Sequence, residues 1–142
     1  MKLLLIMIGI LLAIQLIRFE KINPPVDDTI TLKAPQAVMD ILKTSCYDCH
    51  SDETIWPFYA EIAPLSWNII GHVNDGRKAL NYSKWEEIEP EIKIERLKRS
   101  IKTINNNMMP LENYLLLHEE AKLTKEQKKI VIDWCNEELN KK

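Results

Sequence analysis

Several features that would assign a fold directly are scarce in this sequence. It contains three cysteines and three glycines in 142 residues, and no segment alternates apolar and polar residues as a half-buried strand does. Three cysteines are too few, and odd in number, for a disulfide-stabilised scaffold. No internal repeat or low-complexity tract is present either. These absences exclude repeat and disulfide-rich proteins. The length predicts a single small domain, and the lack of strand-like alternation predicts the all-α class.

An excess of charge of one sign is also lacking. The 19 basic and 21 acidic residues are mixed along the chain and give a formal net charge of −2. A nucleic-acid-binding surface normally needs basic residues concentrated on one face. No nucleic-acid partner is therefore expected.

A long apolar run lies at the start of the chain, at residues 3–17, between Lys2 and the charged sequence RFEK. As a helix it would extend about 22 Å at about 1.5 Å per residue, short of the roughly 30 Å hydrocarbon core of a bilayer. No small-x-small cleavage site and no lipobox cysteine follows it. The run predicts a hydrophobic anchor helix that stays on the protein, in preference to a signal peptide or a core helix. The expected location is the cell membrane, with a single span.

Three segments follow from this pattern: residues 1–20 as signal anchor or signal peptide, residues 21–34 as a linker with Pro24 and Pro25, and residues 35–142 as the domain. Apolar residues at three- and four-residue steps predict a first domain helix that runs into Cys46. Pro64 is placed to open the next helix and Gly76 to close it.

The second half of the domain is also predicted to be helical. Pro90 can open a long helix with an apolar stripe, and Asn105, Asn106 and Asn107 end it. Thr124 and Gln127 have the spacing of a capping box that opens the last helix. The stripes of these two helices comprise Ile94, Leu97, Ile101 and Ile104, and then Ile130, Val131, Trp134, Cys135 and Leu139.

The most informative stretch is CYDCH, in which Cys46 and Cys49 are three apart and His50 follows. A redox dithiol is normally set in a strand-rich α/β fold, and a zinc site would need Cys135 and His72 or His118 at spacings unlike those of zinc fingers. A disulfide between the two cysteines would close a very small loop and leave His50 without a role.

Covalent haem attachment uses both cysteines and the histidine of the motif. Cysteines three apart on a helical turn lie on one face, where both sulfurs can add to the two vinyl groups of one haem. His50 is then placed to be an axial ligand of the iron. Because this attachment is made outside the cytoplasm, the domain is expected to face the periplasm or the cell exterior.

A second axial ligand is expected far along the chain. Met109, followed by Pro110 between the last two predicted helices, is the leading candidate, because a thioether ligand suits an electron carrier and the residue before proline favours an extended backbone. Met108 and His72 are less favoured alternatives, and His118 is a weaker one. Arg77 could pair with a haem propionate, and Trp56, Phe58, Trp67 and Trp85 could wall the haem.

The sequence resembles the membrane-anchored haem-binding domain family of bacteria, whose members look like small c-type cytochromes. The matching stretches cover nearly the whole chain: QLIR, NPP at 23–25, CYDCHS at 46–51, WPFYAEIAPLSW at 56–67, HVNDGRKALNYSKW at 72–85, MPLENYLLLHEEAKL at 109–123 and DW at 133–134. The resemblance implies a cytochrome-c-like helical fold, one haem bound covalently at Cys46 and Cys49, and His50 as an axial ligand.

These observations predict a membrane-tethered monohaem protein that transfers single electrons to and from a separate redox protein and is not an enzyme. The alternatives keep the sixth iron position open: a haem-based sensor, a haem-handling module or a peroxidase-like enzyme. In those cases Met108 and Met109 would only fill the core.

Overall fold

The structure is a computed structural model that describes residues 1–141, in which regular secondary structure is helical and no β-strand occurs. The predicted all-α class is confirmed for this part of the chain. Seven α-helices follow one another: α1 Lys2–Ile14, α2 Gln36–Ser45, α3 Tyr47–His50, α4 Leu65–Ala79, α5 Pro90–Asn105, α6 Glu112–Leu115 and α7 Lys125–Asn140. Short 3₁₀ helices occupy Phe58–Glu61, Tyr82–Glu87 and Glu119–Ala121.

Helix α1 corrects the prediction of an N-terminal anchor. It has 13 residues and ends at Ile14, which gives a length of about 20 Å at about 1.5 Å per residue. Among residues 1–141, none of the helices combines the length and the apolar character needed to cross a membrane. The anchor helix and the single-pass membrane location are therefore wrong.

Contacts with the domain are made where helix α1 ends, before the apolar run does. The side chain of Gln15 donates to the carbonyl of Ala63 at 3.0 Å and accepts from its N–H at 2.9 Å. The indole N–H of Trp67 then donates to the carbonyl of Ile17 at 2.9 Å. The chain after α1 is thus hydrogen-bonded to the beginning of α4.

The packed domain begins before residue 35. Leu32 is only 3% exposed and belongs to the hydrophobic core, and its N–H donates to the carbonyl of Tyr82 at 2.8 Å. Asn23 donates to the carbonyl of Thr54 at 2.8 Å. Within residues 21–34, which the sequence suggests as a linker, Asn23 and Leu32 contact the domain, while residues 25–29 are exposed.

Helices α2, α5 and α7 enclose the hydrophobic core. Trp85 and Trp134 lie against each other there, with ring centroids 5.9 Å apart. The predicted capping box of α7 is confirmed, because Thr124 and Gln127 each accept the other's backbone N–H. The buried members of the core are Leu32, Val38, Ile41, Leu42, Tyr47, Leu80, Tyr82, Trp85, Leu97, Ile104, Leu123, Val131, Trp134 and Cys135.

Helix α4 begins after Pro64 as predicted, but it does not end at Gly76. It continues to Ala79, and Gly76 lies where α4 packs on the short helix α3. A Cβ atom at Gly76 would overlap the carbonyl oxygen of Cys49. The glycine therefore permits the close approach of two backbones, which holds the CYDCH motif against α4.

Candidate functional site

A cavity of about 580 Å³ lies beside the CYDCH motif, within the range of roughly 300–1,000 Å³ that is typical of cofactor and ligand sites. One wall comes from α3 and another from α4, which contributes Ile69, His72 and Val73. The third wall is the segment of residues 109–118. The cavity therefore joins the motif to the loop that contains the Met-Pro sequence.

Cys46 and Cys49 both line this cavity. The N–H of Cys49 lies 3.2 Å from the carbonyl of Cys46 and that of His50 lies 2.9 Å from it, so the motif forms one tight helical turn. Both cysteines are free thiols in the structure. One turn thus brings two thiols to the same cavity.

The surroundings of the two thiols disfavour a reactive dithiol. Burial raises the pKa of Cys46 to about 12 and that of Cys49 to about 11. Redox-active cysteines instead need a lowered pKa, because the thiolate is the nucleophile.

A zinc site is not formed by these residues either. Within residues 1–141, no three side chains of His, Cys, Asp or Glu are grouped so that they could hold a metal ion. Cys135, the third ligand that such a site would need, lies in the core at 1% exposure and does not line the cavity.

His50 also lines the cavity, and its ring is oriented by the backbone. Its Nδ1 lies 3.0 Å from the carbonyl oxygen of Leu80. Because a carbonyl only accepts, Nδ1 carries the proton and Nε2 keeps its lone pair. Burial lowers the pKa of His50, against a smaller opposing effect of the hydrogen bonds to Leu80 and Gly76. A neutral imidazole with a free Nε2 is the form that binds iron.

The structure separates the two candidate methionines. Asn107 has a φ of 55°, the left-handed conformation that often follows a helix. The N–H of Met108 returns to the carbonyl of Thr103 at 2.8 Å, and that of Asn107 to Ile104 at 3.2 Å, which together form a Schellman motif. After this turn Met108 is 57% exposed and does not line the cavity, whereas Met109 lines it.

All three histidines of the chain line the same cavity. His118 is engaged on both ring nitrogens, with Nε2 2.5 Å from the hydroxyl of Tyr59 and Nδ1 3.2 Å from Glu120 Oε1. His72 is placed on α4, one helical turn before Gly76. His72 therefore remains the alternative ligand to Met109, and His118 is less suited to that role.

Tyr114 and Asp48 are among the cavity residues that were not predicted from the sequence. Tyr114 donates from its hydroxyl to Asp48 Oδ2 at 2.7 Å, and both side chains line the cavity. Asp48 lies between the two cysteines, 66 residues from Tyr114. No local pattern indicates such a pair; the only signal is that Asp48 lies inside the CYDCH motif.

Arg77 and the four aromatic residues proposed as haem neighbours do not line the cavity. Arg77 donates to the carbonyls of Ser51 and Ile22 at 2.7 and 2.6 Å, and to side-chain oxygens of Asn23 and Thr54. Its guanidinium therefore connects the loop that follows α3 to residues 22–23. Phe58 is exposed, while Trp85 lies in the core.

The residues that line the cavity fit a haem group. Two protonated thiols lie on one helical turn, a neutral imidazole follows them, and a thioether lies on the segment that forms another wall. These are the donor types that attach haem and ligate its iron in proteins.

Comparison with known proteins agrees with this fit. A model of a haem-binding domain family matches residues 9–137 of the chain. The chain has no match among curated proteins or among solved structures.

Proposed function

Because the chain belongs to the haem-binding domain family and is a haem-binding protein, we propose that it binds one haem covalently and transfers single electrons. Cys46 and Cys49 would hold the haem through thioether bonds, and His50 and Met109 would ligate its iron. Donor and acceptor are separate redox proteins. When bound, the haem supplies an iron that cycles between two oxidation states.

The observation that carries this proposal is the hydrogen bond of His50 to the carbonyl of Leu80. This bond occupies Nδ1, so Nε2 is the ring nitrogen that can bind iron. His50 lies on the same helical turn that brings Cys46 and Cys49 to the cavity. A carbonyl partner of this kind fixes the tautomer and the orientation of a metal-bound histidine. The same residues then attach the cofactor and set the direction from which the iron is bound.

Met109 supports electron transfer as the function, because two axial ligands leave no open position on the iron. Its thioether also stabilises the reduced state relative to a second histidine. The protein has no further chemistry to perform in this role: its ligands would set the reduction potential of the haem.

Denaturing electrophoresis with haem staining tests covalent attachment directly. Wild-type protein should keep its haem on the denatured chain, while Cys46→Ala and Cys49→Ala should each lose most of it. Cys135→Ala, which changes a cysteine in the core and not in the cavity, should keep its haem stain. A wild-type band without haem would contradict the proposal.

A further inference from the structure

The segment of residues 108–118, here called the distal segment, contains Met109 and has little backbone packing of its own. Its helix α6 has four residues and packs mainly against the adjacent 3₁₀ helix Glu119–Ala121. Segments with few packing contacts open readily unless specific side-chain contacts hold them. Two such contacts cross the cavity.

The first contact joins the distal segment to the CYDCH motif. Tyr114 donates to Asp48 Oδ2 at 2.7 Å. Asp48 is itself fixed, because its Oδ1 accepts from the N–H of Ile55 at 3.0 Å and its carbonyl accepts from the hydroxyl of Thr54 at 2.7 Å. Burial raises the pKa of Tyr114 far above its usual range, so the hydroxyl stays protonated and continues to donate.

The second contact joins the end of the distal segment to a different part of the wall. His118 Nε2 lies 2.5 Å from the hydroxyl of Tyr59, in the 3₁₀ helix Phe58–Glu61 that packs on α4. The ring of His118 also stacks on Tyr114, with centroids 4.2 Å apart and an angle of 11° between the planes. The two hydrogen bonds therefore act on one stacked pair of rings.

We propose that Tyr114 and His118 are positioning residues, which hold the distal segment across the cavity through Asp48 and Tyr59 and so keep Met109 within reach of the iron. This inference rests on the proposed function, since it takes Met109 as the ligand. Asp48 lies between the two cysteines that would attach the haem, so the same helical turn would hold both the cofactor and the segment that contains Met109.

Tyr114→Phe in the haem-loaded protein tests this role, because it removes the hydroxyl and keeps the ring that stacks on His118. Imidazole added to the ferric protein competes with Met109 for the iron. Loss of a hydrogen bond to a charged group should make imidazole bind about tenfold more tightly. Tyr47→Phe is the matched control: Tyr47 is adjacent to Asp48, is buried and does not line the cavity, and its change should leave imidazole affinity unaltered.

Equal imidazole affinity in Tyr114→Phe and wild type would overturn the positioning role. Tyr59→Phe should raise the affinity as well, and the double variant should raise it further than either single change, because the two hydroxyls contact different partners.

Amide hydrogen exchange separates this inference from the ligand assignment. Residues 108–118 should exchange faster in Tyr114→Phe than in wild type, while helices α2 and α7 exchange at unchanged rates. If the wild-type spectrum shows no iron–thioether bond, the assignment of Met109 as a ligand is wrong. The exchange rates test the other part separately: unchanged exchange of residues 108–118 in Tyr114→Phe would show that Tyr114 does not hold the distal segment.

Discussion

His50 Nδ1 lies 3.0 Å from the carbonyl oxygen of Leu80, and this one contact determines which ring nitrogen can bind a metal. Leu80 immediately follows α4, the helix that packs on α3. The tautomer of His50 is therefore set by the packing of the CYDCH motif on its neighbouring helix.

Replacing His50 by Ala should remove the iron ligand without removing the haem, because Cys46 and Cys49 keep their thioether bonds. The ferric protein should become high-spin, and added imidazole should restore a low-spin spectrum by filling the space that the side chain leaves. His72→Ala is the control and should stay low-spin. A low-spin spectrum in His50→Ala without imidazole would show that another residue ligates the iron.

The raised thiol pKa values predict slow alkylation of the folded chain before haem is attached. With pKa values of about 12 for Cys46 and about 11 for Cys49, thiolate is scarce at pH 8, since a free cysteine has a pKa of about 8.5. Iodoacetamide should therefore react at least about 100 times more slowly than with free cysteine, and the rate should rise with pH up to about 11 at Cys49.

Mass spectrometry of the alkylated protein measures these rates residue by residue. The same reaction in denaturant should proceed at the rate of free cysteine, which serves as the control. Fast labelling of the folded chain at pH 8 would instead favour a reactive dithiol.

Gly76→Ala should destabilise the protein, because the new Cβ would overlap the carbonyl oxygen of Cys49. Forcing an extra methyl into a packed contact costs about 1–3 kcal/mol. Gly71→Ala is a matched control in the same helix, where nothing lies within 4 Å of the added atom, and it should stabilise by about 0.5–1 kcal/mol. Urea unfolding measures both changes, and equal stability of the two variants would contradict the close contact.

The long helices could be predicted because their signals are local. The apolar steps of α2, the proline that opens α5 and the capping box of Thr124 and Gln127 each depend on residues close in sequence. Ser83 and Glu86 show the limit of such signals: they have capping-box spacing, but the cap of that 3₁₀ helix is Asn81, which accepts from the N–H of Ser83.

Of the cavity, the sequence predicted the wall that contains the CYDCH motif but not the tertiary contacts around it. Gly76 is interpreted from sequence as a helix end, because the contact that requires a glycine comes from Cys49, 27 residues earlier in the chain. The pairing of Asp48 with Tyr114 depends on tertiary structure in the same way. The predicted anchor failed because an apolar run does not specify where its helix ends: α1 ends at Ile14, and the side chain of the next residue, Gln15, bonds to Ala63 of the domain.

Arg77→Lys should destabilise the loop that follows the CYDCH motif. The guanidinium donates to four oxygen atoms and lies 3.5 Å from Asp52, whose side chain is 3% exposed. Lysine has three donors on one atom and cannot reach all of these partners. The free energy of unfolding should fall by about 2–4 kcal/mol, because the buried charge at this position would keep fewer hydrogen-bond partners.

Thermal unfolding of the haem-loaded protein measures this loss, with Arg96→Lys as the control. Arg96 makes a single long contact of 3.4 Å to the carbonyl of Lys78 at the surface. Its substitution should therefore change the free energy of unfolding by no more than about 0.5 kcal/mol. Equal effects of the two substitutions would contradict the role assigned to Arg77.

The ferric absorption spectrum of Met109→Ala beside that of Met108→Ala tests the proposed ligand set most directly. Wild-type protein should be low-spin and show the weak long-wavelength band of an iron–thioether bond. Met109→Ala should lose this band, while Met108→Ala, which removes an exposed side chain outside the cavity, should keep it. A Met109→Ala spectrum identical to that of wild type would contradict the account.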